Sequence, residues 1–169
     1  MSLFQTILDS VANPQHAGTN ADLGGLANLA QLIPGAGQNL QPILGAVGQH
    51  VQEALNEQQQ AGGQAAAQQT VSNLAQSQNV GVPEIQNFLG QDRFNSLVNG
   101  VSENTGMNSQ MILTMLPMLI PVVMRLLATG THQTDSQAPN PVLNQFLGGQ
   151  NGGAMLSEVF QLASQFMRR

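Results

Sequence analysis

Residues 108–130 read NSQMILTMLPMLIPVVMRLLATG, and the reading of this stretch decides the fold. Between 111 and 127 every residue is apolar apart from Thr114, Pro117, Pro121 and Arg125. No other segment is as hydrophobic, so the core is expected to form around it. Asn108 or Ser109 supplies a side-chain oxygen for the first free backbone N–H groups of a helix. Gly130 offers a left-handed stop. A helix of this span is roughly 30 Å long. Its apolar residues do not fall in one stripe. Met111, Met115, Met118 and Val122 lie on one side, and Leu116, Leu119, Val123 and Leu127 on another. A helix apolar all round is buried in protein or in lipid.

Pro117 and Pro121 are four residues apart and share a face. Each lacks an N–H and crowds the carbonyl four residues back, which predicts a kink or two short helices meeting at an angle. Arg125 continues that face, where its guanidinium can reach a freed carbonyl, a helix C-terminus or water. The segment is read as a soluble, kinked core helix built on Met111, Met115, Leu116, Pro117, Leu119, Pro121, Val123 and Arg125. The alternatives are a membrane span or hairpin, and a helix buried partly between subunits. The apolar run falls short of the ~20 residues of a spanning helix. A mid-run Arg is also costly in lipid.

The rest of the chain is short of charge. Only 8 % of the 169 residues are charged, with no Lys, and the net charge is −5. An ordinary globular domain has about a quarter. Gln and Asn, about forty residues together, supply most of the polarity. Nucleic acid is an unfavourable partner, because phosphate binding needs clustered Lys and Arg and base stacking needs aromatics. Here Trp and Tyr are absent and six Phe are the only aromatics. No Cys is present, so disulfides, thiolate chemistry and Cys-based metal sites are excluded, as suits a cytoplasmic setting. The opening MSLFQTILDSVANPQ has neither the basic start nor the long apolar run of a secretory signal. No lipidation motif is visible.

Leu3, Phe4, Ile7, Leu8 and Val11 fall at helical spacing and predict a short amphipathic helix. Its polar face has no Lys or Arg, which disfavours adsorption to anionic lipid. Leu23, Leu26, Leu29, Ala30 and Ile33 mark a second helix, broken at Pro34-Gly35. The GAG at 35–37 lacks the strand and the Gly-Lys-Ser/Thr ending of a phosphate loop. Leu40, Ile43, Leu44, Val47, Val51 and Leu55 predict a long amphipathic helix running into Gln58-Gln59-Gln60 and Gly62-Gly63. His50, Glu53 and Glu57 lie along its other side. Imidazole and carboxylate at this spacing can ligate a metal, but one His with two acids reads more simply as a solvated face. Residues 65–76 predict the next helix.

A weak internal echo follows. Val71-x-x-Leu74-Ala75 leads to Gly81-Val82-Pro83, and Val98-x-x-Val101-Ser102 leads to Gly106-Met107-Asn108. Each reads as helix, Gly stop, then a Pro or Asn opening the next helix. Neither unit has a basic recognition helix, so two packed αα-hairpins are expected rather than a DNA reader. Asp92, Arg93, Phe94, Leu97, Val98 and Val101 make the helix that feeds the core. Beyond Gly130 comes a polar linker, 131–141. A C-terminal helical arm, 142–169, carries Leu143, Phe146 and Leu147 and a Gly-rich break at 148–153. It then carries the stripe Leu156, Val159, Phe160 and Ala163.

The opening MSLFQTIL, the run LVNGVSENTGMNSQMILTMLPMLIPVVMRLL, the polar linker and the Gly-broken tail together resemble the bacterial YidB-like proteins of unknown function, especially their cyanobacterial members. The likeness is best over 91–130 and looser at the ends and across the Gln-rich middle. It implies an α-helical fold and brings no catalytic residues. The two prolines of the core helix depart from the family pattern.

The fold expected is all-α, a single domain (1–130) of about six or seven helices with a C-terminal arm. No carboxylate pair, Ser–His–Asp set or metal cluster stands out, and His16, His50 and His132 sit in separate polar contexts. The function expected is therefore non-enzymatic and without cofactor. It is a self-associating structural protein forming a filament, tube or other homo-oligomer. Leu3, Phe4, Ile7 and Leu8 at one end and Leu156, Val159, Phe160 and Ala163 at the other are the expected contacts. The alternative is a membrane-associated accessory protein that inserts 111–127.

Overall fold

The computed structural model describes residues 3–15, 36–77, 80–131 and 138–167. Seven α-helices and no strands form among them. In chain order they are α1 (Leu3–Ala12), α2 (Ala36–Gln76), α3 (Val82–Leu89), α4 (Gln91–Thr105), α5 (Ser109–Ala128), α6 (Pro141–Gly148) and α7 (Gly152–Met167). The protein is all-α, and one cluster of buried apolar side chains runs through all seven. The helix expected around 23–33 lies outside the described residues, as do His16, His132 and the terminal Arg168-Arg169.

The stripe of α2 is the floor of this core. Leu40, Ile43, Leu44, Val47, Val51 and Leu55 are all buried. The two helices expected on either side of Gly62-Gly63 both form, joined end to end in the single span of α2. It changes direction at Gly63, whose φ of 80° and ψ of 178° are non-helical and open to glycine at no steric cost. The helix continues through the Gln tract. Beyond the bend, Ala67, Val71 and Ala75 carry the buried face onward. Residues of α2 touch α3, α4, α5, α6 and α7, most extensively α7 and α5.

Local signals set several boundaries. Gly106 takes the left-handed conformation (φ 70°, ψ 11°) and ends α4. Asn108, not Ser109, caps α5, its side-chain oxygen accepting from Gln110 N at 3.1 Å. Three expectations fail. Gly81 does not close a helix, because α2 has already ended at Gln76. It instead precedes α3 in an extended conformation, with Glu84 Oε2 accepting from its N–H at 3.0 Å. Of the kink or two short helices expected at Pro117 and Pro121, the division does not occur, since α5 runs as one helix of 20 residues. Gly130 is not left-handed. A Cβ there would meet Asn140 Oδ1 at 2.2 Å, so glycine is required for closeness rather than for φ.

The C-terminal segment is part of the core. Val142, Leu143 and Phe146 of α6 and Leu156 and Val159 of α7 are buried. The glycines read as a flexible break are where α7 touches α2. A Cβ on Gly153 would lie 2.0 Å from the carbonyl oxygen of Gly45, and one on Gly48 would lie 2.8 Å from that of Gly152. Small residues here let two backbones meet. Gln52, 7 % exposed, locks the junction. Its Nε2 donates to the carbonyls of Phe146 and Gly149, and its Oε1 accepts from Gly152 N at 2.9 Å. Asn140, at the end of the expected linker, is 1 % exposed and ties α5 to α6. It donates to Leu127 O at 2.8 Å and accepts from Leu143 N at 3.0 Å as the cap of α6.

Two glycine substitutions separate the roles of space and propensity. Gly153→Ala forces backbone against backbone and should lower stability by about 1–3 kcal/mol. Gly100 lies inside α4 with nothing within 4 Å of a new Cβ, so Gly100→Ala should raise stability by about 1 kcal/mol. Thermal and urea denaturation followed by circular dichroism measure both. Equal effects of the two would mean that α2 and α7 do not meet at Gly153.

Candidate functional site

On α5 the neighbours α2, α3, α4 and α6 cover one side and leave the other outward. Ile112, Met115, Leu116, Leu119, Ile120, Val123, Met124, Leu126 and Leu127 are buried. Met111 and Met118 are 51 % and 50 % exposed, the two large apolar side chains so exposed among the described residues. Thr114 and Arg125 are also exposed, and Pro117, Pro121 and Val122 are half-buried. Of the residues expected in the core helix, Met115, Leu116, Leu119 and Val123 are interior. Met111, Pro117, Pro121 and Arg125 instead belong to this outward strip. The segment is apolar all round, yet the helix is buried on one side only.

The prolines fit the outward face for a physical reason. Each leaves a carbonyl, that of Leu113 or Pro117, without its intrahelical donor. An unpaired carbonyl inside the core costs about 1–3 kcal/mol, whereas on the outward side water can reach it. Arg125 closes the strip. Its Nε donates to Ala75 O at 3.1 Å, so the guanidinium meets a carbonyl in the last turn of α2, where a cation is favoured. With Ser72, Gln76, Ala128, Thr129 and Thr131 it lines a shallow cleft of about 250 Å³.

The end segments expected to carry association are occupied within the chain. Leu3, Ile7, Leu156 and Val159 are each 3 % exposed or less. Phe4 and Phe160 pack against the same core, and Leu8 is half-buried. The hydroxyl of Thr6 donates to the side-chain oxygen of Gln145, joining α1 to α6. The side chain of Ala163 lies outside the described residues.

A second cluster gathers the charges of α2 and α4. Arg93 Nη1 donates to Glu57 Oε2 at 2.6 Å, and its Nε lies 3.8 Å from Glu53 Oε2. These groups are well exposed, so each pair contributes about 0–1 kcal/mol. His50 Nδ1 is 3.8 Å from Glu53 Oε2, too far for a hydrogen bond, and has no hydrogen-bond partner among the described residues. Burial lowers the His50 pKa below the usual 6.5. Glu53 pulls it up and Arg93 pushes it down, and burial prevails. The contact is therefore a neutral imidazole beside a carboxylate. Glu53 and Glu57 both turn to Arg93, and no group of three or more His, Cys, Asp or Glu suited to a metal occurs among the described residues.

The buried carboxamides Gln52 and Asn140 escape the sequence reading. Gln52 sits one residue past Val51 at the margin of the α2 stripe, where a Gln looks like any surface residue. Asn140 precedes Pro141, an Asn-Pro pair that does signal a helix start.

No protein-family model matches the chain, and no curated protein or solved structure is significantly similar to it.

Because the folded chain holds His50 less readily protonated than the unfolded chain does, the folded state binds fewer protons there. The stability this contributes is complete above about pH 6.5 and is lost as pH falls through the lowered folded value. Melts between pH 7.5 and 5 should show the natural protein losing stability more steeply than His50→Gln. Identical slopes would remove His50 from the linkage.

Proposed function

We propose that the chain is a non-enzymatic structural protein that associates with copies of itself into a regular homo-oligomer or filament in the cytoplasm. The observation that carries this reading is the outward side of α5. The most hydrophobic helix of the chain leaves Met111 and Met118 half exposed. The surroundings favour contact between copies. With 8 % of residues charged, little like-charge repulsion keeps two surfaces apart. Carboxamides, the commonest polar groups, pair across a contact without desolvating an ion. The reading suits the YidB-like resemblance, which brings no catalytic residues to this chain.

The end helices support association less than their sequence suggests. Their apolar faces are already covered by α2 and α6, so they become available only by leaving this core.

A second reading has one observation in its favour. At 20 residues and a mean hydropathy of 2.1, α5 is long and apolar enough to cross a membrane. Insertion would require Leu116, Leu119, Ile120 and Val123, all buried, to leave their neighbours in the core. Half of the apolar window is buried within the chain. Flotation with liposomes separates the two readings, since a self-associating protein stays at the bottom of the gradient.

Apolar burial, at about 25 cal/mol per Å² before association costs, is the expected driving force. Salt screens charges over about 10 Å at 0.1 M but leaves apolar burial intact, and sulfate strengthens it. Light scattering of the purified protein should show assembly that persists from low to molar NaCl and grows with sulfate. Dissociation as NaCl rises would mean that ion pairs hold the contact. A monomer at every protein concentration would end the proposal.

A further inference from the structure

Among the outward residues of α5, Met111, Thr114, Met118, Pro121 and Arg125 are separated by alternating steps of three and four. That spacing is the seam along which two helices meet in a coiled coil. Met111 and Met118 stay half exposed, and among the described residues no other helix covers them. The pattern calls for a helix as its occupant.

Charge narrows the choice of helix. Arg125 is the only charged residue between Ser109 and Ala128. A charged partner helix would lose water along most of the strip and find nothing to pair with. An apolar helix of matching spacing whose one charge sits at the end of its face fits, and α5 itself is one.

Three of the five residues are also symmetric about Met118. Met111 and Arg125 each lie seven residues from Met118. The geometry points to an antiparallel contact in which α5 of one copy docks on α5 of a second, with Met118 at the two-fold axis. This rests on the self-association reading above and names its contact. Met118 then meets Met118, Met111 lies along the aliphatic stem of Arg125, and Thr114 faces Val122. The contact is isologous, as two-fold dimers require.

Electrostatics selects the direction. In a parallel pair the two Arg125 side chains would face each other. In the antiparallel pair they lie roughly 20 Å apart at 1.5 Å per residue, about twice the screening length at 0.1 M salt. Arg125 is in addition drawn toward α2 by Ala75 O. Methionine suits such a contact, because its unbranched, polarizable side chain adapts to the surface it meets. One helix face is small beside the ~800 Å² per partner of a standard interface, so the pair is a weak, concentration-dependent link.

The chain contains no cysteine, so single-cysteine variants of the full chain report directly. Met118→Cys, Met111→Cys and Arg125→Cys are oxidised with copper-phenanthroline and run on non-reducing gels. A disulfide needs Cα atoms within about 7 Å. Met118→Cys should form a covalent dimer. Met111→Cys alone should not, but should cross-link when mixed with Arg125→Cys. In sedimentation velocity, Met118→Glu should weaken association at least tenfold with an unchanged circular dichroism spectrum. Efficient self-cross-linking of Met111→Cys would overturn the antiparallel direction. Undiminished association of Met118→Glu without a Met118→Cys cross-link would overturn the α5 contact and leave self-association standing. A natural protein that stays monomeric overturns both. Flotation on phosphatidylcholine vesicles without a cross-link would give the strip to lipid and overturn the contact.

Discussion

The fold depends on one side chain that joins three helices. The carboxamide of Gln52, on α2, donates to the last carbonyls of α6 and accepts from the first N–H of α7. Helix ends carry backbone groups with no internal partner, and here two such ends meet inside the protein. An acid would satisfy only the donor and a Lys only the acceptors. An amide serves both and brings no charge into the core. The close approach of Gly45 and Gly48 to Gly152 and Gly153 makes this reach possible, because a Cβ on Gly48 or Gly153 would hold the backbones apart. Asn140 repeats the device between α5 and α6. In a chain with so few charges, buried amides do the work of joining helices.

That joinery decides which side of α5 faces outward. With α6 fixed by Gln52 at one end and by Asn140 at the other, α5 is bounded by α2, α3, α4 and α6. The side they leave open carries both prolines and the two exposed methionines. The arrangement is economical in polar terms, since the carbonyls freed by proline fall where water reaches them. It also leaves an apolar strip on a surface that is otherwise amide-rich and sparse in charge. Such a surface has little to repel a second copy.

The charged cluster around Arg93 has a different character. Its ion pairs are exposed and screened, and His50 beneath them is kept neutral by burial rather than charged by Glu53. The cluster fastens α4 to α2 loosely, while the apolar contacts of Phe94, Leu97 and Val101 below it carry the packing.

The sequence by itself determined the all-α class, the buried stripe of α2 from Leu40 to Leu55, the start of α5 at Asn108 or Ser109 and the stop at Gly106. Each of these is local, a matter of helical spacing or of one residue bonding to its own neighbours. It also marked 108–130 as the centre of the core. It did not say which side of that helix is covered, because a segment apolar all round has no spacing to read. Nor did it separate the two uses of glycine. Gly152-Gly153 looks the same whether it lends freedom or lets another backbone approach, and only the position of Gly45 tells which. For the same reason the last two helices read as an arm when they are core. Tertiary structure decided these points, since burial is a property of what lies opposite a residue.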